Sequence, residues 1–181
     1  MPFQNHENVY YYKDMFNQDA VLASVEETKE MNRNIEFLIM ESIPLQYRAK
    51  MHALESLAYP YWKEEFVLWE NTLIGKAVWS VALDSDEPIT TIRAYPSMNP
   101  DMLTINYLST EQSYRKRGLA RAVIQNCINH VFTNGVYSSI QALDISSPGA
   151  AKILEQVGFV RNRQNIDIMR SMKEFYKNCK T

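Results

Sequence analysis

Cysteine is scarce in this sequence: the 181 residues include only Cys127 and Cys179, with no Cys-x-x-Cys pair. That usage argues against a disulfide scaffold or a structural zinc site, and it fits a reducing, cytoplasmic setting. The three histidines, His6, His52 and His130, also lack metal-ligand spacing, so we expect no metal cofactor.

Long apolar runs and an excess of one charge are absent as well. No stretch of ~18 apolar residues occurs, and the first residues lack a signal-peptide core, so we expect no membrane segment. Nineteen basic residues stand against 21 acidic ones. This balance disfavours nucleic acid as the main ligand, because phosphate binding needs a basic face. Hydrophobic residues make up 46% of the chain, which is enough for a folded core.

What the sequence does contain is a pattern of alternating helices and strands. Apolar residues at three-four spacing predict an amphipathic helix over residues 116–134. Further helices are predicted over residues 43–59 and after Ser147-Pro148, where Gly158 closes the last one. Strands are predicted over residues 35–41, 64–71, 72–83, 101–110, 138–146, 159–160 and 165–172, with residues 88–95 as a further strand or an extended arm.

This order of elements predicts one α+β domain. Its sheet is mixed and mostly antiparallel, with helices on both faces. Residues 64–71 and 72–83 are interpreted as a hairpin around Glu70-Asn71. Residues 1–33 are predicted to be an N-terminal extension, an added strand and helix packed on the domain, and residues 34–181 to be the domain itself.

The stretch with the most chemical character joins a predicted strand to the long helix. Four cations, Arg115, Lys116, Arg117 and Arg121, fall within seven residues at the helix N-terminus, where free N–H groups and the positive dipole end also lie. Gly118 has no Cβ, so an anion could approach the backbone closely. The pattern indicates a polyphosphate cradle, although neither the Walker nor the G-x-G-x-x-G spacing is present. A solvated basic helix start is the alternative.

Two motifs at a fixed distance carry a resemblance to a known family. Arg115, Gly118 and Ala120 form R-x-x-G-x-A between strand and helix, and SPGAAKILEQVGF follows over residues 147–159. Together they resemble the [QR]-x-x-G-x-[GA] loop and the N-x-x-A-x-x-x-Y-E-x-x-G-F segment of the Gcn5-related N-acetyltransferase (GNAT) family. The resemblance spans residues 101–172, and the leucine before Glu155 is similar to the ribosomal-protein N-terminal acetyltransferase branch.

The resemblance implies an acyl-CoA N-acyltransferase fold, with a sheet splayed between its fourth and fifth strands and acetyl-CoA as co-substrate in the wedge. Backbone groups of Arg115, Lys116, Arg117, Gly118, Leu119 and Ala120 would hold the pyrophosphate, and the strand edge of Leu108, Ser109 and Thr110 would pair with the pantetheine. A strand N–H would polarise the thioester carbonyl. Ser147 lies near the position of the family's pantetheine-binding asparagine; a plain helix N-cap is its alternative role.

The departures from the family pattern concern catalysis. Leu154 stands where many members carry the tyrosine that protonates the departing thiolate, and the strand 101–110 has no glutamate to serve as general base. Tyr107 is the candidate proton carrier, with sheet packing as its alternative role. Candidate acceptor-side residues are Tyr59, Tyr61, Trp62, Glu64, Glu65 and Glu70, for which ordinary packing and solvation are the alternatives.

The implied function is an acetyl-CoA-dependent N-acetyltransferase that acts on an amine, either a protein N-terminus or a small molecule. Two alternatives stay open at this stage. One is a non-catalytic acyl-CoA-binding or interaction protein on the same fold, which Leu154 and the missing glutamate favour. The other is a basic-loop binder of RNA or a phosphoprotein. The sequence also leaves a homodimer open.

Overall fold

The computed structural model describes residues 8–13, 26–58, 66–71, 73, 76–97, 99, 101–134, 137, 139–144 and 148–162. The strands are β1 (Asn8–Lys13), β2 (Ile35–Met40), β3 (Val78–Asp84), β4 (Glu87–Pro96), β5 (Met102–Thr110), β6 (Ser139–Asp144) and β7 (Val160–Asn162). The helices are α1 (residues 26–31), α2 (Leu45–Ala58), α3 (Phe66–Asn71), α4 (Leu119–Thr133) and α5 (Pro148–Val157).

One mixed sheet organises these elements, in the order β2-β3-β4-β5-β6-β1-β7. Every neighbouring pair is antiparallel except β5 and β6, which run parallel. The predicted α+β class is therefore confirmed. The added strand and helix predicted within residues 1–33 are both present, and β1 lies inside the sheet between β6 and β7. The domain boundary after residue 33 stays a prediction.

The sheet opens between its fourth and fifth strands in this order. The parallel β5–β6 ladder runs from Met102, opposite Ser139, to Ile105, opposite Ala142. β5 continues to Thr110 and stays paired with β4 over that length. Within the described residues, β5 and β6 therefore part after Ile105, which is the splay that the family resemblance implies.

Two apolar clusters cover the two faces of the sheet. Side chains alternate along β3, so Trp79 and Val81 pack in the cluster beneath α2, whereas Ala82 packs in the cluster beneath α4. Both helices thus bury one stripe against opposite faces. None of the helices in the described ranges is long and apolar enough to cross a membrane.

The position of the hairpin that includes β3 differs from the prediction. A hairpin around Glu70-Asn71 is wrong, because α3 forms there, and the strands β3 and β4 are joined through Ser85 and Asp86. Both turn residues have positive φ, 52° and 66°, as two-residue hairpin turns of the I′ type require. The apolar run of α3 fits either periodicity, and its buried Trp69 is hydrogen-bonded to α2. Tertiary contact therefore decides for a helix.

The helix α5 ends as predicted. Gly158, with φ of 109°, donates its N–H to Glu155 O at 3.1 Å, and Phe159 donates to Leu154 O at 3.0 Å. These are the two hydrogen bonds of a Schellman motif, in which glycine takes the strained position. The predicted closing strand 165–172 lies outside the described residues.

Candidate active site

A β-bulge marks the point where the sheet opens. Tyr107 and Leu108 of β5 stand opposite the single Ile92 of β4. Tyr107 has φ of 57°, an uncommon backbone conformation for a bulky residue, and its N–H donates to Oδ1 of Asn106 at 2.8 Å. Because the β5–β6 ladder has ended at Ile105, the strand edge beyond the bulge borders the opening. The predicted pantetheine edge begins at this bulge.

A hydrogen-bonded loop, residues 111–118, connects β5 to α4. The guanidinium Nε of Arg115 donates to Thr110 O at 3.1 Å, which ties the loop back to the end of β5. The hydroxyl of Tyr114 donates to Oδ2 of Asp84 at 2.8 Å, which ties it to the β3–β4 hairpin. The loop is therefore held at both sides before α4 begins.

Two left-handed residues shape the backbone of this loop. Lys116 and Gly118 both take left-handed conformations, with φ of 65° and 79°, and such alternation produces concavities lined by N–H groups. No side chain of the described residues caps α4, and its first helical hydrogen bond runs from Ala122 N to Gly118 O at 3.0 Å. The amides of residues 119–121 precede that bond, so they can donate to a ligand.

Four exposed cations surround the loop: Arg115, Lys116, Arg117 and Arg121. Arg117 lies over the ring of Tyr114, 4.9 Å from its centroid. A Cβ at Gly118 would meet the Thr28 side chain at 3.6 Å, an ordinary contact. The positive φ, and not the space, is therefore what requires glycine there within the protein itself. The residues of the predicted cradle fit a diphosphate group.

A buried ionic cluster lies beside the bulge on the α2 face. Glu55 of α2 is 0% exposed, and its carboxylate accepts hydrogen bonds from the indoles of Trp69 at 2.6 Å and Trp79 at 3.0 Å. It also accepts two from Arg93, from Nε at 3.1 Å and from Nη2. These four donors compensate a charge that would otherwise be very unfavourable in the core.

The same cluster reaches the bulge through Arg93. Its guanidinium lies 4.8 Å from the ring centroid of Tyr107 and 5.3 Å from that of Trp79, in cation–π geometry. The sequence prediction missed Glu55 and Arg93. No local pattern singles them out, because apolar residues of α2 such as Leu45 and Leu57 are exposed whereas the charged Glu55 is buried.

The acetyltransferase (GNAT) family matches residues 44–159, which is more than half of the chain and includes the bulge, the loop and the buried cluster. The chain belongs to the GNAT family. Residues 1–43, with β1 and α1, lie outside the match.

Solved structures share this fold at low sequence identity. A GCN5-related N-acetyltransferase from Kribbella flavida has a TM-score of 0.57 and 11% identity, with 85% of this chain and 53% of that chain covered. A predicted acetyltransferase with acetyl-CoA from Clostridium acetobutylicum has a TM-score of 0.55 and 14% identity, with 72% and 92% covered. An aminoglycoside 6'-acetyltransferase type Ii has a TM-score of 0.51 and 19% identity, with 67% and 81% covered.

This chain spans just over half the length of several of the solved structures that it resembles. No curated protein matches it. The identities lie below 25%, so these likenesses concern the fold and leave the substrate of this GNAT protein to its own residues.

Three residues of this GNAT domain bear on where a proton for the thiolate could come from: Leu154, Tyr107 and Tyr95. Leu154 is 4% exposed and packs in the core with α4, so its hydrocarbon side chain has no proton to supply. Tyr107 is partly buried above Arg93 at the bulge. Burial raises the pKa of a second phenol, Tyr95, which is hydrogen-bonded to Asn106. The sequence prediction named Tyr107 as the candidate proton carrier.

The predicted acceptor-side residues are only partly described. Glu70 pairs with Arg48 at 3.2 Å, so its carboxylate already has a cationic partner. His52 contacts two aromatic rings edge-on, Phe66 at 4.9 Å and Trp69 at 5.3 Å between centroids. The predicted residues Tyr59, Tyr61, Trp62, Glu64, Glu65 and Ser147 lie outside the described residues. Among the described ones, no cluster of three His, Cys, Asp or Glu side chains could hold a metal.

Proposed function

We propose that this protein is an acetyl-CoA-dependent N-acetyltransferase that transfers an acetyl group to an amine. The observation that carries the proposal is the continuity of strand and loop. The edge of β5 beyond the bulge leads within a few residues to a loop with left-handed Lys116 and Gly118 and an uncapped helix start. A ligand with an amide-bearing arm attached to a diphosphate matches this sequence of binding elements.

In this proposal, each part of acetyl-CoA meets a different set of residues. The amides and cations of residues 115–120 bind the diphosphate, while Leu108, Ser109 and Thr110 offer backbone groups to the pantetheine, as an added strand would. Within the described residues, the buried hydroxyls of Ser109 and Thr110 have no hydrogen-bond partner in the protein. Because both hydroxyl oxygens are buried, the proposed pairing with the pantetheine uses the backbone groups of the strand. The assignment of Ser147 to the pantetheine stays a prediction.

The transfer itself needs three proton movements. The acceptor ammonium first loses a proton to solvent, because an ammonium nitrogen has no free lone pair with which to attack the thioester carbonyl. The nitrogen–carbon bond then forms and the carbon–sulfur bond breaks, while the nitrogen releases a second proton to solvent and the CoA thiolate takes up a proton. A thiol with pKa of about 8.5 is a tolerable leaving group, so unassisted departure is feasible. We assign the assisting proton to Tyr107, because it lies at the bulge beside the predicted pantetheine edge.

The acceptor is proposed at the level of an amine. Family membership supports an amine without choosing between two kinds of acceptor: one structural neighbour is an aminoglycoside acetyltransferase, which suggests a small molecule, and the Leu154-Glu155 segment resembles the ribosomal-protein N-terminal acetyltransferase branch, which suggests a protein N-terminus. A panel that contains both kinds of amine distinguishes them. A cytoplasmic location and a homodimer stay predictions from the sequence.

Gly118→Glu tests the binding part of the proposal. The added carboxylate would bring a negative charge next to the amides that bind the diphosphate, so we expect calorimetric CoA binding to vanish while the thermal transition stays cooperative. Gly118→Gln, similar in size without the charge, separates electrostatic repulsion from bulk, and Gly118→Ala isolates the cost of the positive φ. Undiminished CoA binding by Gly118→Glu would overturn the cradle assignment.

A non-catalytic acyl-CoA-binding protein is the second candidate. The buried Leu154 favours it, since the position that often supplies a proton in the family cannot do so here. This candidate predicts CoA binding with no acetyl transfer to any amine, whereas the N-acetyltransferase predicts both.

A further inference from the structure

The turn that follows α1 contacts the loop of residues 111–118 directly. Asn32 Nδ2 donates to the carbonyl oxygen of Arg117 at 3.2 Å and to that of Thr28 at 2.9 Å. Thr28 is 4% exposed and packs beside Gly118. Thr28 and Asn32 both precede residue 44, where the family match begins, so family membership assigns them no role.

Asn32 is held from several directions. Its own N–H donates to Thr28 O and Lys29 O, each at 3.1 Å, and its carbonyl accepts from Ile35 N at 2.8 Å. The residue therefore stands in a fixed turn between the end of α1 and the start of β2. Its side-chain amide uses both hydrogens, one for the α1 carbonyl and one for the loop.

The geometry of one peptide unit transmits this contact to the anion cradle. The carbonyl of Arg117 and the N–H of Gly118 belong to the same peptide, and no peptide bond among the described residues is cis. In a trans peptide these two groups point in opposite directions. Because Asn32 holds the carbonyl towards α1, the Gly118 N–H points away from α1. A hydrogen bond to the carbonyl also polarises the N–H of the same peptide.

We propose that Asn32 is a positioning residue that aims the Gly118 N–H at the diphosphate of the acyl-CoA substrate. The inference rests on the proposed function, since it requires that residues 115–120 bind that diphosphate. Asn32 touches no substrate atom in this role and acts only through the Arg117–Gly118 peptide. In this role the N-terminal segment helps to hold the residues that bind the acyl-CoA diphosphate.

Asn32→Ala tests this role by CoA binding. The variant loses the donor to Arg117 O, and we expect the calorimetric dissociation constant of CoA to rise ~3- to 10-fold, the effect of one neutral hydrogen bond. Asn34→Ala, an exposed asparagine in the same turn, is the matched control and should bind CoA like the wild type. Asn32→Leu keeps the branched side-chain shape without the N–H donors and without a charge, and it serves if the alanine variant does not fold.

A second readout separates positioning from general loosening. The chain has five glycines, so selective ¹⁵N-glycine labelling gives five backbone amide signals, and Gly118→Ala identifies the one from Gly118. We expect Asn32→Ala to shift the Gly118 signal and leave the other four in place. Unchanged CoA affinity, an unmoved Gly118 signal, or a shift of all five would each overturn the inference. If the wild type binds no CoA, the proposed function fails as well, whereas a wild type that binds beside an equally tight Asn32→Ala refutes this inference alone.

Discussion

Tyr107 combines two constraints at a single residue. Its backbone is left-handed at the bulge, and its ring lies over the guanidinium of Arg93. The ring therefore has a structural part to play, whatever its hydroxyl does. Sequence alone suggested the residue as a proton carrier, but the bulge that places it beside the open strand edge depends on the pairing with β4.

Replacement of Tyr107 by phenylalanine separates the hydroxyl from the ring. The stack on Arg93 is kept, so we expect CoA affinity to stay unchanged while kcat falls by ~10²-fold or more. The measurement is steady-state kinetics with a saturating amine. Tyr95→Phe, which removes the other phenol near the bulge, is the control and should retain most of the activity. A wild-type kcat in Tyr107→Phe would show that Tyr107 has a packing role and no catalytic one.

Cys127 lies on the core-facing side of α4, and burial raises the pKa of its thiol to about 12. In a Cys179→Ser background it is the only cysteine, and we expect no reaction with a disulfide reagent at pH 8 until denaturant is added, because the reactive species is the thiolate. The unfolded chain loses this proton near pH 8.5, so the thiol's contribution to folding stability falls as the pH rises from there towards 12. Rapid labelling of the native protein would contradict the burial.

At the level of elements, sequence patterns predicted the helices whose positions depend on residues close together in the chain. The helix α4 and its basic start follow from three-four spacing, and the end of α5 follows from Gly158. The helix α3 could not be predicted this way, because the bond from Trp69 to Glu55 spans 14 residues. The pairing of Glu55 with Arg93, 38 residues apart, is equally invisible to a local pattern. Each needed the three-dimensional structure.

The Glu55–Arg93 pair gives an element-scale prediction, since it joins α2 to β4. Glu55→Gln leaves the Arg93 cation buried without its counter-charge, and we expect the free energy of unfolding to fall by ~3–5 kcal/mol. The measurement is equilibrium denaturation in urea. The matched control is Glu70→Gln at the partly exposed Arg48–Glu70 pair, which should lose less than ~1 kcal/mol. Equal losses in both variants would show that burial does not govern the energy of these pairs.

At the scale of the whole molecule, the described residues of the N-terminal segment contact the domain through β1 and through the turn after α1. β1 pairs with both β6 and β7, and Asn32 donates to the Arg117 carbonyl in the loop of residues 111–118. The sequence predicts the same strand and helix as an extension, but no motif in residues 1–33 indicates either contact. Such contacts depend on the assembled sheet and cannot be derived from the segment alone.

A chain that begins at Asn34 tests this integration. It lacks β1 and Asn32, so we expect a lower melting temperature and weaker CoA binding than in the full chain. Thermal denaturation and calorimetry measure the two effects separately. Full CoA affinity in a folded chain of this length would show that the segment is an independent appendage.

The central claim, that this GNAT protein transfers acetyl groups to amines, is tested most directly by mass spectrometry of an amine panel incubated with acetyl-CoA. The panel contains peptide N-termini and small-molecule amines, and Gly118→Glu serves as the inactive comparison. The account predicts that at least one amine gains a single acetyl group, with equal release of CoA, in the wild type and not in the variant. CoA binding without acetylation of any amine would contradict the claim and favour the non-catalytic alternative.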